Sequence, residues 1–406
     1  MSKPQAIFKL VSIRCDARWS LFAVLGLLAT PGNAASFRGL GTLPGAEVPS
    51  SRPRDITPDG TIVVGESRSA NGMEAFRWTA STGMVGLGNL GGGEPVSSAS
   101  AVSADGSVVV GGSTSPNSPT QNEAFRWTAT TGMVGLGDLP GGDEFSSAAS
   151  GVSSDGSIVT GSSSSTLAPF WGEAFRWTEP SGMVGLGIFP GSQSPATIPQ
   201  DLSADGEVIV GWSGTANGRE AFRWSQEEGL FAMGDLPGGF FDSQAKGVSA
   251  DGSVIVGFAS NPSPTAFRWS AETGMVDLGR PPSAFDSGAF GVSADGNVVV
   301  GDSAFDGDVA PILWTASTGM RNLVDVLTEL GVAPQFAGWD LEQAEAVSAD
   351  GMIITGWGFN PEGFREAWIV DLGEPSVVEV PTASGKILAL FAALLGATAF
   401  ATLRLR

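Results

Sequence analysis

Ser97-Ser98-Ala99-Ser100-Ala101-Val102-Ser103-Ala104-Asp105-Gly106-Ser107-Val108-Val109-Val110-Gly111-Gly112-Ser113 decides the fold. Residues 97–103 read as one strand and 107–113 as a second, because Asp-Gly between runs of strand formers is a strong hairpin signal. After a variable loop, Glu123-Ala124-Phe125-Arg126-Trp127-Thr128 reads as a third strand, with Phe125 and Trp127 on one face and Ala124 and Arg126 on the other. Residues 133–139 read as a fourth, ending at Pro140-Gly141-Gly142. Val108-Val109-Val110 is apolar on both faces, which predicts a strand covered on both sides.

Working outward, the Asp-Gly pair recurs at Asp59, Asp105, Asp155, Asp205, Asp251, Asp295 and Asp350, at intervals of 46, 50, 50, 46, 44 and 55 residues. Glu-Ala-Phe-Arg-Trp recurs in phase at 74–78, 123–127, 173–177 and 220–224, and as Thr265-Ala266-Phe267-Arg268-Trp269 in the fifth copy. The sixth (310–314) and seventh (366–370) copies keep the apolar alternation and lose the arginine. Seven units of four short strands predict an all-β, seven-bladed β-propeller, with a stacked β-solenoid as the rival. The ends favour the ring. The last unit stops after its third strand at Leu372, and an orphan fourth strand, residues 39–45, precedes the first and matches 135–141. Pairing that N-terminal strand into the last blade removes the free edges an open array must cover. The 336 residues of 37–372 divide into seven units of 48.

Both ends read as export signals. Residues 1–34 have the layout of a signal peptide: four basic residues, the apolar run 21–29, and Pro31-Gly32-Asn33-Ala34, with cleavage expected after Ala34 or Ala35. The nine-residue run is too short to span about 30 Å of hydrocarbon. The single Cys, Cys15, lies in this leader, so the mature chain has no thiol chemistry. A linker, 373–384, precedes a C-terminal segment, 385–406, whose uncharged stretch 387–403 reaches the lower limit of a membrane span and is followed by Arg404 and Arg406.

The 406 residues carry a net charge of -21 and contain no His and no Tyr, which excludes imidazole bases and ligands and phenolic nucleophiles. Removing the leader (four basic residues and Asp16) and then Lys386, Arg404 and Arg406 takes -21 to -27, so nucleic acid and anionic headgroups are disfavoured as partners. The membrane is expected to be met only through the C-terminal segment.

The run 123–142 together with Ser153-Ser154-Asp155-Gly156 resembles the HAF-type extracellular repeat of bacterial secreted proteins, and the resemblance covers residues 37–372. It extends to 322–346, where residues 322–327 read as a short helix capped by Gly331. Glu stands where the family's His would be in four repeats and at Glu366. Val380-Pro381-Thr382, the apolar span and the terminal arginines resemble a PEP-CTERM-like sorting signal. The resemblance implies an exported or surface-attached protein handled by export and sorting machinery, and it implies no particular activity.

Strand alternation places the tight turns on one face of the ring and the unequal loops on the other. Aromatics on or beside those loops, Phe170, Trp171, Trp212, Phe258 and Trp357, are candidate contacts for an extracellular glycan or protein, and Phe145, Phe240, Phe241 and Phe285 form a second set; capping of the core is their other reading. The third-strand arginines, Arg77, Arg126, Arg176, Arg223 and Arg268, are expected to pair with carboxylates such as the turn Asp. The turn Asp lacks the further oxygen ligands of a calcium loop. No catalytic, metal-binding or cofactor-binding residue is singled out. These features point to a non-catalytic, surface-associated interaction or structural module of the cell envelope or extracellular matrix. The alternative is a carbohydrate-active hydrolase or lyase using two of Glu94, Asp143, Glu144, Asp242 and Asp286, at about 5 to 5.5 Å for retention or 6.5 to 9.5 Å for inversion.

Overall fold

The computed structural model describes residues 34–373 except Gly93, Pro119, Thr120, Asp143 and Glu144, and it does not describe the side chain of Asn261. Residues 1–33 of the expected leader (1–34), most of the linker and the apolar C-terminal segment fall outside the described residues. Seven separate four-stranded antiparallel sheets follow one another along the chain. Six are built from consecutive strands. The seventh takes its outer strand, Ser36–Gly41, from the N-terminus and pairs it with the last strand, Arg365–Asp371. The ring is a closed seven-bladed β-propeller.

The second blade shows how the repeat folds. Its strands are Ser97–Val102, Val108–Ser113, Glu123–Thr128 and Gly132–Gly135, from the innermost outward. The Asp-Gly turn is a four-residue turn, with Gly106 N–H donating to Ser103 O and Gly106 at φ 68°. Asp105 thus precedes a left-handed glycine, the geometry of a bulged hairpin and not the two-residue type that the pair alone suggests. Its Oδ1 accepts from the Ser103 hydroxyl and the Ser107 N–H. These bonds hold its carboxyl below the usual range, and Asp155 in the next blade lies at about 2 for the same reason. The same turn recurs in all seven blades.

The fourth strand is shorter than expected. After Gly135 the chain leaves the ladder because the Glu123 carboxylate accepts from Gly137 N–H, and Glu74, Glu173 and Glu220 do the same in their blades. Glu366 accepts from Gly41 N–H at the ring closure. The orphan strand likewise lies upstream of the expected 39–45: Ser36 to Gly39 occupy the register that Gly132 to Gly135 take in blade 2.

Consecutive residues on each second strand, such as Val109 and Val110 or Ile209 and Val210, are fully buried, because neighbouring blades cover both faces. Each junction has its own apolar cluster. At the closure Leu40, Ile56, Val63, Phe76 and Ala367 pack together, so this junction has a core like the others. A serine stitches most junctions. Ser97 Oγ accepts from Ala75 N–H and donates to Gly88 O, and Ser51 does the same for Ala367 and Gly41 across the closure. On the turn face, backbone bonds run round the channel from Ala104 to Ser154, Ala204, Ala250, Ala294, Ala349 and finally Pro58 O. The circle stops there because proline has no N–H to pass on. The helix, Leu323–Glu329, is capped by the Asn322 side chain and followed by Gly331 at φ 77°. It buries Leu323 and Leu327 against Phe37 and Trp368 of the closing blade.

Candidate functional site

Every innermost strand carries a β-bulge at the same place, which leaves one residue unpaired: Arg54, Ser100, Ser150, Gln200, Lys246, Phe290 or Glu345. A bulge re-aims its side chain, and all seven are half-buried. The glycine opposite is fixed by close approach: a Cβ at Gly111 would lie 2.0 Å from Ser98 O and one at Gly65 2.1 Å from Arg52 O. The next residue on the second strand changes in nearly every blade: Glu66, Gly112, Ser162, Trp212, Phe258, Asp302 and Trp357. Its partner on the innermost strand varies as well, from Arg52 and Gln343 to Ser98 and Ala148. Divergence inside an otherwise uniform repeat therefore gathers at the loop end of the channel.

Three of the expected aromatics sit there as half-buried strand residues under cations. The Arg219 guanidinium lies 5.5 Å from the Trp212 ring and forks onto Asp242 at 2.7 and 2.6 Å. Asp242, a candidate catalytic carboxylate, is thereby engaged. Lys246 lies 5.6 Å from the Phe258 ring and donates to Gln200 Oε1 at 3.0 Å; burial, with Arg219 nearby, lowers its pKa to about 8. Trp357 is flanked by Arg52 at 5.5 Å and Arg365 at 5.7 Å, and its Nε1 donates to Gln343 Oε1. These three are not loop-tip contacts.

Phe170 and Trp171 are. They are 80% and 63% exposed on the loop after strand Ile158–Ser163, over a cleft of about 280 Å³ lined by Gln121, Asn122, Ser146, Ser162 and Ser164. In the second set Phe240 and Phe285 are exposed, Phe241 is marginally so and Phe145 is half-buried. Asp286 accepts from Ala304 N–H, Glu94 is exposed, and Asp143 and Glu144 are outside the described residues.

A carboxylate network that the sequence reading missed joins blades 6, 7 and 1. Asp302 accepts from Gln343 Nε2 at 3.1 Å, Gln343 accepts from Arg52, and Arg52 pairs with Glu345 at 2.5 Å. Burial, with Asp286 and Glu345 adding repulsion, pushes Asp302 up to about 7. Its signal was available: Asp302 and Trp357 occupy the variable position after the repeat glycine. Among the described residues one group, Asp308, Asp340 and Glu342, brings three carboxylates within 4.8 Å; two of them are exposed, which makes an acidic patch at the rim.

On the turn face two of the five arginines pair with a carboxylate as expected, though not with the turn Asp, and three do not. Arg77, Arg126 and Arg268 donate to the carbonyls of Gly106, Gly156 and Gly296 in the next blade, while Arg176 and Arg223 reach Glu207 and Glu228. The turn Asp commits one oxygen, Oδ1, to its own serine and backbone amide.

No family model matches the chain, and no curated protein matches it. Its fold is similar to that of an oligogalacturonate lyase from Vibrio parahaemolyticus, at 11% identity over 84% of this chain and 98% of that one, with a TM-score of 0.51. It is also similar to a prolyl endopeptidase (12%, 81% and 51%, 0.49) and to TolB from Acinetobacter baumannii (12%, 68% and 63%, 0.42). The chain spans less than two thirds of the last two. At these identities the likeness concerns the fold alone.

Proposed function

We propose that the protein is an exported, surface-associated and non-catalytic binding module whose loop face takes an extracellular glycan or protein. The observation that carries this reading is the contrast within the repeat: residues that satisfy the backbone recur from blade to blade, and those at the loop-end channel mouth do not. Exposed Phe170 and Trp171 over a polar cleft add the aromatic surface such ligands use. The resemblance to HAF-type repeats and the two end signals support placement at the cell surface. Cleavage after Ala34 or Ala35 would leave the closing strand Ser36–Gly41 whole. The test is a glycan and protein array probed with the mature protein. A specific hit weakened at least tenfold by Phe170→Ala with Trp171→Ala is expected, and silence on both arrays contradicts the reading.

The carbohydrate-active alternative is favoured by one observation, the Asp302–Gln343–Arg52–Glu345 network. It places a carboxyl near pKa 7 in a hydrogen-bonded chain with an ion-paired carboxylate, the division of roles an acid and a base need. One structural neighbour is a lyase of oligogalacturonate. Depolymerisation of a polysaccharide panel that Asp302→Asn abolishes would establish this reading, and no depolymerisation would remove it.

A further inference from the structure

Four arginines converge where blade 7 meets blade 1, in a chain that has 42 acidic residues against 21 basic ones. Arg52 and Arg365 share the Trp357 ring. Arg54 bonds Glu66 at 3.1 Å, and Glu66 is the cross-strand partner of Arg52. Arg365 Nε donates to Ser50 Oγ at 3.3 Å, and the Arg68 backbone N–H donates to Ser50 O at 2.8 Å, so these two arginines flank one serine. Glu345 and Glu66 neutralise Arg52 and Arg54. Arg365 and Arg68 have no carboxylate within ion-pair distance among the described residues. Burial lowers the pKa of Arg365, and the charges of Arg52, Arg54 and Arg68 lower it further against the pull of Glu66. Stacking on Trp357 accounts for Arg365 as a cover for the ring. It does not account for Arg68, nor for two unneutralised guanidiniums where acids outnumber bases two to one.

We propose that Arg365 and Arg68, backed by Arg52 and Arg54, form a binding site for an acidic polysaccharide and hold a carboxylate or sulfate group of the sugar. Guanidiniums offer paired donors that match either group. Beside them Phe359, 38% exposed and edge-on to Trp357 at 6.2 Å, supplies an apolar edge for a sugar ring. That neighbour favours a glycan over an acidic peptide. The chain's net charge does not forbid the site, because charges beyond about 10 Å are largely screened at 0.1 M salt. This assignment rests on the binding reading above and names the ligand class.

The experiment is titration of the full mature protein with alginate, dextran sulfate, uncharged dextran and poly-L-glutamate at two salt concentrations. Alginate or dextran sulfate binds and uncharged dextran does not; which polyanion binds tells carboxylate from sulfate. Arg68→Gln with Arg365→Gln weakens binding at least tenfold and flattens its salt dependence while cooperative unfolding is retained, and Arg365→Lys alone, which keeps the charge but not the paired donors, keeps the salt dependence with weakened binding. Unchanged binding in the double variant overturns the site. Equal binding of poly-L-glutamate overturns the glycan assignment. If neither polyanion binds but the arrays yield a ligand that depends on Trp171, this site falls while the broader binding reading stands.

Discussion

The turn face carries the same Ser/Thr-x-Asp-Gly device in all seven blades, whereas the loop face surrounds seven equivalent bulges with different chemistry. On the turn face the polar side chains serve the backbone. Each Asp holds its own turn, and the circle of amide bonds runs to Pro58. Near the loop end, Glu123 and Ser97 are scaffold in the same sense. A residue repeated in each blade serves what each blade needs. A ligand site needs particular residues once, so departures from the repeat, as at Arg52, Asp302, Lys246 and Trp357, mark where the proposed site would lie.

Removing the scaffold and altering the mouth should therefore have separable effects. The largest belongs to the closure. Deleting residues 36–41 strips the outer strand from the last blade and removes Phe37 and Leu40 from two cores, and cooperative thermal unfolding should be lost. Trp368→Ala, at a site with no solvent exposure, should cost about 3 to 5 kcal/mol in chemical denaturation.

A pH effect comes next. Burial raises Asp55 to about 7 and Asp201 to about 6, each bridging amides of adjacent innermost strands, and Asp302 lies at about 7. Their folded values lie above the ordinary 3.8, so the folded state holds protons that the unfolded chain releases. Their contribution is complete below about pH 4 and is lost as pH rises through 6 to 7. The turn aspartates, held low, act oppositely and lose their contribution as pH falls below about 4. Melting temperature should rise from about pH 8 to about pH 5, with a shallower slope in Asp55→Asn.

Ser97→Ala, which breaks one junction stitch, should cost about 1 to 3 kcal/mol by leaving the Ala75 N–H unpaired. At the small end, Phe170→Ala with Trp171→Ala should change stability by no more than about 0.5 kcal/mol per substitution, because both side chains face solvent.

The ring was legible because backbone needs repeat: Asp-Gly turns, doubly apolar second strands and the unmatched strands at the two ends each left a periodic mark. Turn type and the length of the fourth strand were less legible, since the Glu123 bond to Gly137 and the serine stitches join residues distant in sequence. The candidate site was only partly legible. Exposed Phe170 and Trp171 were found from their loop, but Trp212, Phe258 and Trp357 proved to be strand residues under cations. The Arg52, Gln343 and Asp302 network escaped because its members come from three blades and are distant in sequence.

The most direct test is hydrogen–deuterium exchange of the mature protein with and without a bound acidic polysaccharide. Added protection should fall on the loop-end segments 66–72 and 359–365, leaving the seven Asp-Gly turns unchanged. Protection centred on those turns, or spread evenly round the ring, would contradict a scaffold on one face and a site on the other.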